Sequence, residues 1–226
     1  MINGIDEYQK YKVIRPILKD WEYDEFHMPI IKKTGIEIID WNNIDALGYQ
    51  NLNKNKDNTN NLILMFNYDK VLLSLWNSPL KKIALFKTCA AVATPDFSIY
   101  SSMNYNEIRH NVYMNRWLGC TWQSYGCTVF PTVGWAKPDT YDICFSGLEY
   151  GSIPIISTLG CHENAADFLS GFNEMKARIN PPLIIVYGDM IKGMTGTFCN
   201  FRYNEAFNQE FKQLKLEQVF TVKEVA

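Results

Sequence analysis

Five short strings, each following an apolar run, hold the residues best suited to chemistry. They are Asn67-Tyr68-Asp69, Thr94-Pro95-Asp96-Phe97-Ser98, Pro131-Thr132-Val133-Gly134-Trp135, Ser157-Thr158-Leu159-Gly160 and Tyr187-Gly188-Asp189. Hydroxyls and carboxylates supply hydrogen-bond partners for a polar ligand, a carboxylate can serve as a general base, and an aromatic ring offers an apolar platform. Asp96 is the candidate catalytic base, and Asp69, Ser98, Thr132, Trp135, Ser157 and Thr158 are candidate ligand-binding residues. The competing reading of Asp96 is an Asx-turn or a helix cap, and Asp69, directly before a predicted helix, has the same alternative.

Arg116 and Gln123 lie about two turns apart on one predicted helix and could line the rim or hold an anion, with Trp117 and Trp122 beside them. The alternative is that the tryptophans pack on the sheet while Arg116 pairs with a carboxylate. Cys161-His162-Glu163 brings together three ligand types, yet neighbours at a helix start point in different directions and cannot close a metal site, so no metal is expected. His162 is the best placed of three histidines for an acid–base role. Gly188 to Thr195 approaches the phosphate-loop pattern, but Met194 stands where the lysine must be, which argues against nucleoside triphosphate hydrolysis. Nothing in the residue pattern specifies a cofactor.

These strings can meet only if the intervening elements set them at one end of a sheet. Periodicity predicts strands at Gly35–Trp41, Leu62–Phe66, Ile83–Val92, Cys127–Val133, Ser152–Ser157 and Leu183–Tyr187, with weaker ones at 197–201 and 218–222. Helices are predicted at 68–76, from an Asn104 cap to about Tyr125, at 138–149, at 163–179 and at 205–214. The polar tract Asn51–Asn61 reads as a mobile surface loop. Strict alternation of strand and helix gives an α/β class with a mainly parallel sheet, because parallel neighbours need crossovers. About eight strands suit a degenerate, TIM-barrel-like (β/α)8 fold, and an open, doubly wound three-layer sheet is the alternative. In both, ligands bind at the carboxyl ends of the strands. Residues 1–34, interrupted by Pro16 and Pro29, read as an irregular lead-in, and 35–226 as one α/β domain.

A chain of 226 residues that is 47% hydrophobic can bury one large core, and its net charge of −2 gives no bulk attraction to nucleic acid or an anionic bilayer. No apolar run reaches membrane-spanning length and the first residues lack a secretory pattern, so a cytoplasmic protein is expected. The six cysteines, irregularly spaced, are expected to be reduced and mostly buried.

The ordered motifs Pro95-Asp-Phe-Ser98, Asn115-Arg-Trp117, Trp122-Gln123, Pro131-Thr-Val133 with Trp135, and Ser157-Thr158 with Gly160 resemble domain-of-unknown-function family 4417. The resemblance runs from about Phe66 to Gly188. Members of that family typically carry an acidic pair where this chain reads Asn67-Tyr-Asp69, so Asp69 keeps one acid, and Gly134 replaces a serine common before the tryptophan. The family has no established chemistry. The resemblance implies a phage or mobile-element setting in a bacterial host.

Two functions fit these residues. The first is an enzyme or small-molecule binder, with hydrolysis or group transfer on a nucleotide-like or sugar-like ligand at the strand ends. The second is a non-catalytic accessory protein that binds a host or phage macromolecule through Trp21, Tyr23, Phe26 and Trp41. Nucleic acid is the less favoured partner and a membrane is not expected; oligomeric state is left open.

Overall fold

The computed structural model describes residues 15–16, 18–202, 214–215 and 218–223. Nine strands are assigned among them: β1 Asp45–Gly48, β2 Asn61–Leu64, β3 Ala91–Ala93, β4 Val129–Phe130, β5 Ile155–Ser157, β6 Ile184–Tyr187, β7 Gly196–Phe201, β8 Leu214–Lys215 and β9 Gln218–Val222. The main helices are α1 Asp69–Asn77, α2 Ile83–Phe86, α3 Tyr105–Ser124, α4 Tyr141–Cys144 and α5 Ala165–Ile179.

The architecture is mixed α/β, with β1 to β4 as a parallel four-strand sheet and β5 to β7 as the parallel part of a second. The parallel expectation therefore holds for the strands that carry the candidate residues. A parallel bridge between Thr132 and Ile155 leads from the first sheet to the second, through 2.8 Å bonds from Ile155 N to Pro131 O and from Val133 N to Ile155 O. At the outer edges, β8 pairs antiparallel with β1 and β9 pairs antiparallel with β7. Eight parallel strands are thus not what the pairing gives.

Side-chain alternation explains how the two sheets share a core. In the second sheet Ile155, Ile185, Tyr187, Cys199 and Phe201 join the cluster formed by Ala46, Leu62, Ile63 and Val92 of the first. The intervening Ile156, Ile184, Val186 and Phe198 face the other way, onto Phe168, Phe172 and Met175 of α5. Burial of this kind contributes roughly 1.5–3 kcal/mol per large side chain and fixes strand register, because a slip of one residue would exchange the two faces.

α3 follows its sequence signals. The Asn104 side chain accepts from Asn106 N at 2.9 Å, and the Glu107 carboxylate accepts from Asn104 N at 3.0 Å, closing a capping box. Gly126, at φ 84°, releases the chain after it. Trp122, fully buried, donates its indole N–H to Pro79 O and meets Phe86 edge-on. Its neighbour Trp117 is equally buried, as the packing alternative expects.

Several local expectations are corrected. Residues 35–41 form a 3-10 turn at Ile36–Ile38 rather than a strand, with Ile36 and Ile38 exposed, so β1 starts later at Asp45. The apolar run 83–92 splits into α2 and the short β3: it has the composition of a buried strand, but Phe86 packs as a helical residue. The Asn-rich tract is anchored, since Asn58 is 3% exposed and donates to Asn53 O and Lys56 O. Asx-type bonds to Asn55 N and Thr59 N supply the order that apolar periodicity could not reveal. Of the predicted helix 205–214, residues 205–213 lie outside the described residues and Leu214 belongs to β8. The six cysteines are free, four of them buried. Among the described residues, no helix is long and apolar enough to cross a membrane.

Candidate functional site

The ends of β2 and β3 build the core of the site. α1 begins at Asp69, but the Asp69 carboxylate does not cap its own helix. It accepts the Ser98 amide at 3.1 Å and so ties the loop after β2 to the loop after β3. Asp96 donates its amide to Met65 O at 3.2 Å, continuing the parallel ladder beyond the strands and bringing its side chain beside Asp69. Burial pushes the Asp96 carboxyl up to about 7, and the negative charge of Asp69 adds to the effect. Among the described residues the Asp96 carboxyl accepts no hydrogen bond, so the turn-cap alternative finds no support in the geometry.

A third group comes from the second sheet. Cys161, half-buried after β5, has its thiol pushed up by burial and, to a lesser degree, by the charge of Asp96. Asp96 is therefore coupled through its charge to both Asp69 and Cys161. Beside them Phe66, after β2, stacks on Tyr187 of β6 at 5.0 Å between ring centroids and 13° between planes. That stack sets the strand ends of the two sheets side by side along one rim, the mouth. Tyr68 is 77% exposed and Tyr100 is 62% exposed, and the Tyr100 hydroxyl lies 3.3 Å from Ser98 Oγ.

Behind the mouth lies a buried polar frame. Thr132 takes a 2.7 Å bond from its amide to Thr94 Oγ1 and returns its own hydroxyl to Thr94 O at 2.6 Å. Asn115 accepts from Thr94 Oγ1 and donates to Pro95 O and Thr132 O. Arg116 donates to Ser146 O at 2.9 Å, Cys144 O at 2.8 Å, Asn115 Oδ1 at 2.6 Å and Thr132 O at 3.3 Å. These bonds use most of the donors of a guanidinium that is 2% exposed and whose pKa burial lowers to about 10. Carbonyl oxygens, and not the carboxylate of the alternative reading, take the Arg116 donors. A crevice of ≈ 10 Å³ between Asp96, Asn111, Asn115, Arg116, Thr132 and Gly134 is at the threshold for one water.

Ser157 Oγ accepts from Leu159 N at 3.2 Å, and buried Thr158 bonds Tyr187 O through its amide at 3.1 Å. His162 is exposed in a 3-10 turn. Trp135 lies against Phe168 and Phe145 and covers Gly171 of α5. Gln123 is not brought to the mouth: near the far end of α3, it exchanges two bonds with the Lys32 backbone, at 2.7 and 3.0 Å. Among the described residues no group of three or more His, Cys, Asp or Glu is arranged to hold a metal ion.

A larger hollow, ≈ 280 Å³, lies beside the C-terminus of α5 and away from Asp96. Arg178 there meets Asp142 and Glu174, both at 2.7 Å, and Asp24 holds the amides of Phe26, Met28 and Gly147.

The family model for Domain of unknown function (DUF4417) matches residues 26–204, most of the chain. The chain belongs to that family. This DUF4417 chain is 40% identical over 118 residues to the Gene 1 protein of Mycobacterium phage L5, a match covering 51% of this chain and 52% of that protein. It is 38% identical over 118 residues to the Gene 1 protein of Mycobacterium phage D29, covering 51% and 44%. The chain thus aligns with about half the length of these relatives. No solved structure is a significant match.

Within this DUF4417 chain, strand-end reasoning missed Phe66, Tyr100 and Cys161 as mouth residues. Phe66 and Tyr187 belong by parity to the shared core face, and their stacking across the two sheets carries no periodic signal. Cys161 reads in the sequence as one of a local trio with His162 and Glu163, whereas its thiol feels the charge of Asp96, far away in sequence.

Proposed function

We propose that the strand-end mouth is an acid–base active site for hydrolysis or group transfer on a small polar ligand. The observation that carries this reading is the juxtaposition of Asp69 and Asp96 at the ends of adjacent parallel strands, with Asp96 held protonated up to a pH of about 7. Such a pair divides labour: Asp96 is poised to give or take a proton near neutral pH, while the charge of Asp69 stabilises developing positive charge or accepts a proton from an attacking group. Ser98, Ser157 and Thr158 frame the mouth from neighbouring loops, and Thr132 and Arg116 hold those loops rather than meet the ligand. His162, exposed at the edge, is an outer contact, and Trp135 supports the loop after β4.

Residues 35–226 act, in this reading, as one domain with the lead-in strapped to it, and the two sheets curl into a degenerate barrel. The support is the Thr132–Ile155 bridge together with the pairing of β8 to β1 and β9 to β7 by strands only two residues apart. The phage origin of the relatives supports a setting in the cytoplasm of an infected bacterium.

The alternative of macromolecule capture by lead-in aromatics has less support. Trp21 donates to Ile30 O, Tyr23 accepts from Leu18 N, and Trp41 donates to Ile36 O and packs near Phe130. Parallel assays of wild type and Asp96→Asn against sugar- and nucleotide-based substrates test the acid–base role. At least one substrate should be turned over by wild type and lose about a hundredfold or more in the variant; equal behaviour across the whole panel rejects it.

A further inference from the structure

The charge and ring content of the mouth restrict what it can hold. Asp69 and Asp96 lie in the loops after β2 and β3, tied by the Ser98–Asp69 bond, and Asp189, after β6, is paired with Arg202 at 3.6 Å. Arg116 is buried behind the mouth on carbonyl oxygens, and the Lys70 ammonium lies 5.7 Å from the Tyr68 ring. The first turn of α1, where a phosphate would find backbone amides, opens with the Asp69 carboxylate itself. A phosphorylated ligand would bring like charge against the Asp69 carboxylate, and the Arg202 guanidinium, just after β7, is already on Asp189. The ring groups, by contrast, are abundant. Tyr68 and Tyr100 present exposed rings next to Asp69 and Ser98, and partly exposed Phe66 is braced from behind by Tyr187.

We propose that the mouth takes a small neutral glycoside, its sugar ring seated on Tyr68 and Tyr100 and its hydroxyls donating to Asp69 and Asp96. The inference rests on the acid–base reading above and narrows its ligand class. Sugars combine an apolar ring face, which suits an aromatic platform, with hydroxyl donors, which suit carboxylate acceptors. Water is the co-reactant, and the step balances with it alone. The anomeric C–O bond breaks as Asp96 gives its proton to the leaving oxygen; the water oxygen bonds to the anomeric carbon and its proton passes to Asp69.

The test uses the full chain, as wild type, Asp96→Asn, Tyr68→Ala and Tyr100→Ala, each checked for folding by circular dichroism. The probes are 4-nitrophenyl glycosides of glucose, galactose and N-acetylglucosamine, with inosine, adenosine monophosphate and glucose 6-phosphate as contrasts. Binding is read by saturation-transfer NMR and calorimetry, and turnover by nitrophenol release or chromatography. At least one neutral glycoside should bind to wild type and to Asp96→Asn, about tenfold more weakly to each tyrosine variant, and should be hydrolysed at least a hundredfold faster by wild type than by Asp96→Asn. Binding confined to the nucleoside or the phosphorylated probes overturns the glycoside assignment, and if Asp96→Asn still abolishes their turnover the acid–base reading survives alone. A glycoside that binds through the tyrosines but is never cleaved keeps the ligand class and rejects the acid–base reading. No binding by any probe rejects both.

Discussion

The Asp69 carboxylate accepts the Ser98 amide, two residues beyond Asp96, in a 3.1 Å bond that spans the loops after β2 and β3 and brings its charge within reach of the Asp96 carboxyl. Two carboxylates brought together by separate parallel strands cannot both be ionised cheaply, and Asp96, the more deeply set, retains its proton.

That retained proton makes stability depend on pH. The folded value for Asp96, about 7, lies above its ordinary 3.8, so between these limits the native state binds the extra proton. The stabilisation is complete below the unfolded value and is lost as pH rises through 7, with a ceiling of about 4 kcal/mol. Denaturant midpoints of wild type should therefore fall between pH 5 and pH 8 relative to those of Asp96→Asn, whose neutral amide carries no such penalty. A variant less stable than wild type at pH 8 would show that the carboxylate is held by favourable bonds instead.

Removing the neighbouring charge should separate its contribution from that of burial. In Asp69→Asn the Asp96 carboxyl, followed by carbon-13 NMR, should titrate at lower pH than in wild type. It should remain above the ordinary aspartate range, because burial is the larger cause. An unchanged titration would mean that the two groups are farther apart in solution.

Sequence periodicity exposed the alternation of strands and helices, and with it the end of the sheet where Asp69 and Asp96 meet, because parallel pairing forces that geometry whatever the loops contain. It did not expose which side chains the frame consumes. Thr132 and Arg116 have the residue types of ligand contacts, yet Arg116 sits where carbonyls from 144, 146 and 132 converge, a convergence that depends on loops with no periodic signal. Gln123 shares a helix face with Arg116 but lies two turns farther along, beside the lead-in, so a shared stripe did not imply a shared site. The run 83–92 went wrong for a related reason, since a short, fully apolar stretch has no period to separate strand from helix.

Arg116 should accordingly behave as a frame residue. Arg116→Met leaves Cys144 O and Ser146 O without these donors and unpairs one side of Asn115, which should cost about 3 kcal/mol or more. Arg116→Lys should recover only part of that, because an ammonium cannot reproduce the guanidinium fork. Urea unfolding measures both. If instead Arg116→Lys unfolds like wild type but loses binding of an anionic probe, Arg116 holds ligand and not loop.

Trp135 makes the same distinction on the other side of the mouth. A Cβ added at Gly171 would overlap Trp135 Cδ1 and Nε1, so the indole lies directly on the α5 backbone and cannot remain there in Gly171→Ala. The displaced ring loses its contacts with Phe168 and Phe145, at 5.1 and 6.0 Å, and the variant should be destabilised by about 1–3 kcal/mol with a red-shifted tryptophan emission. Shrinking the partner removes the conflict: once Trp135→Leu is present, Gly171→Ala should cost at least about 1 kcal/mol less than it does alone. Additive costs in that double-mutant cycle would show that Trp135 already leaves the helix in solution, and would return its ring to the set of groups free to meet a ligand.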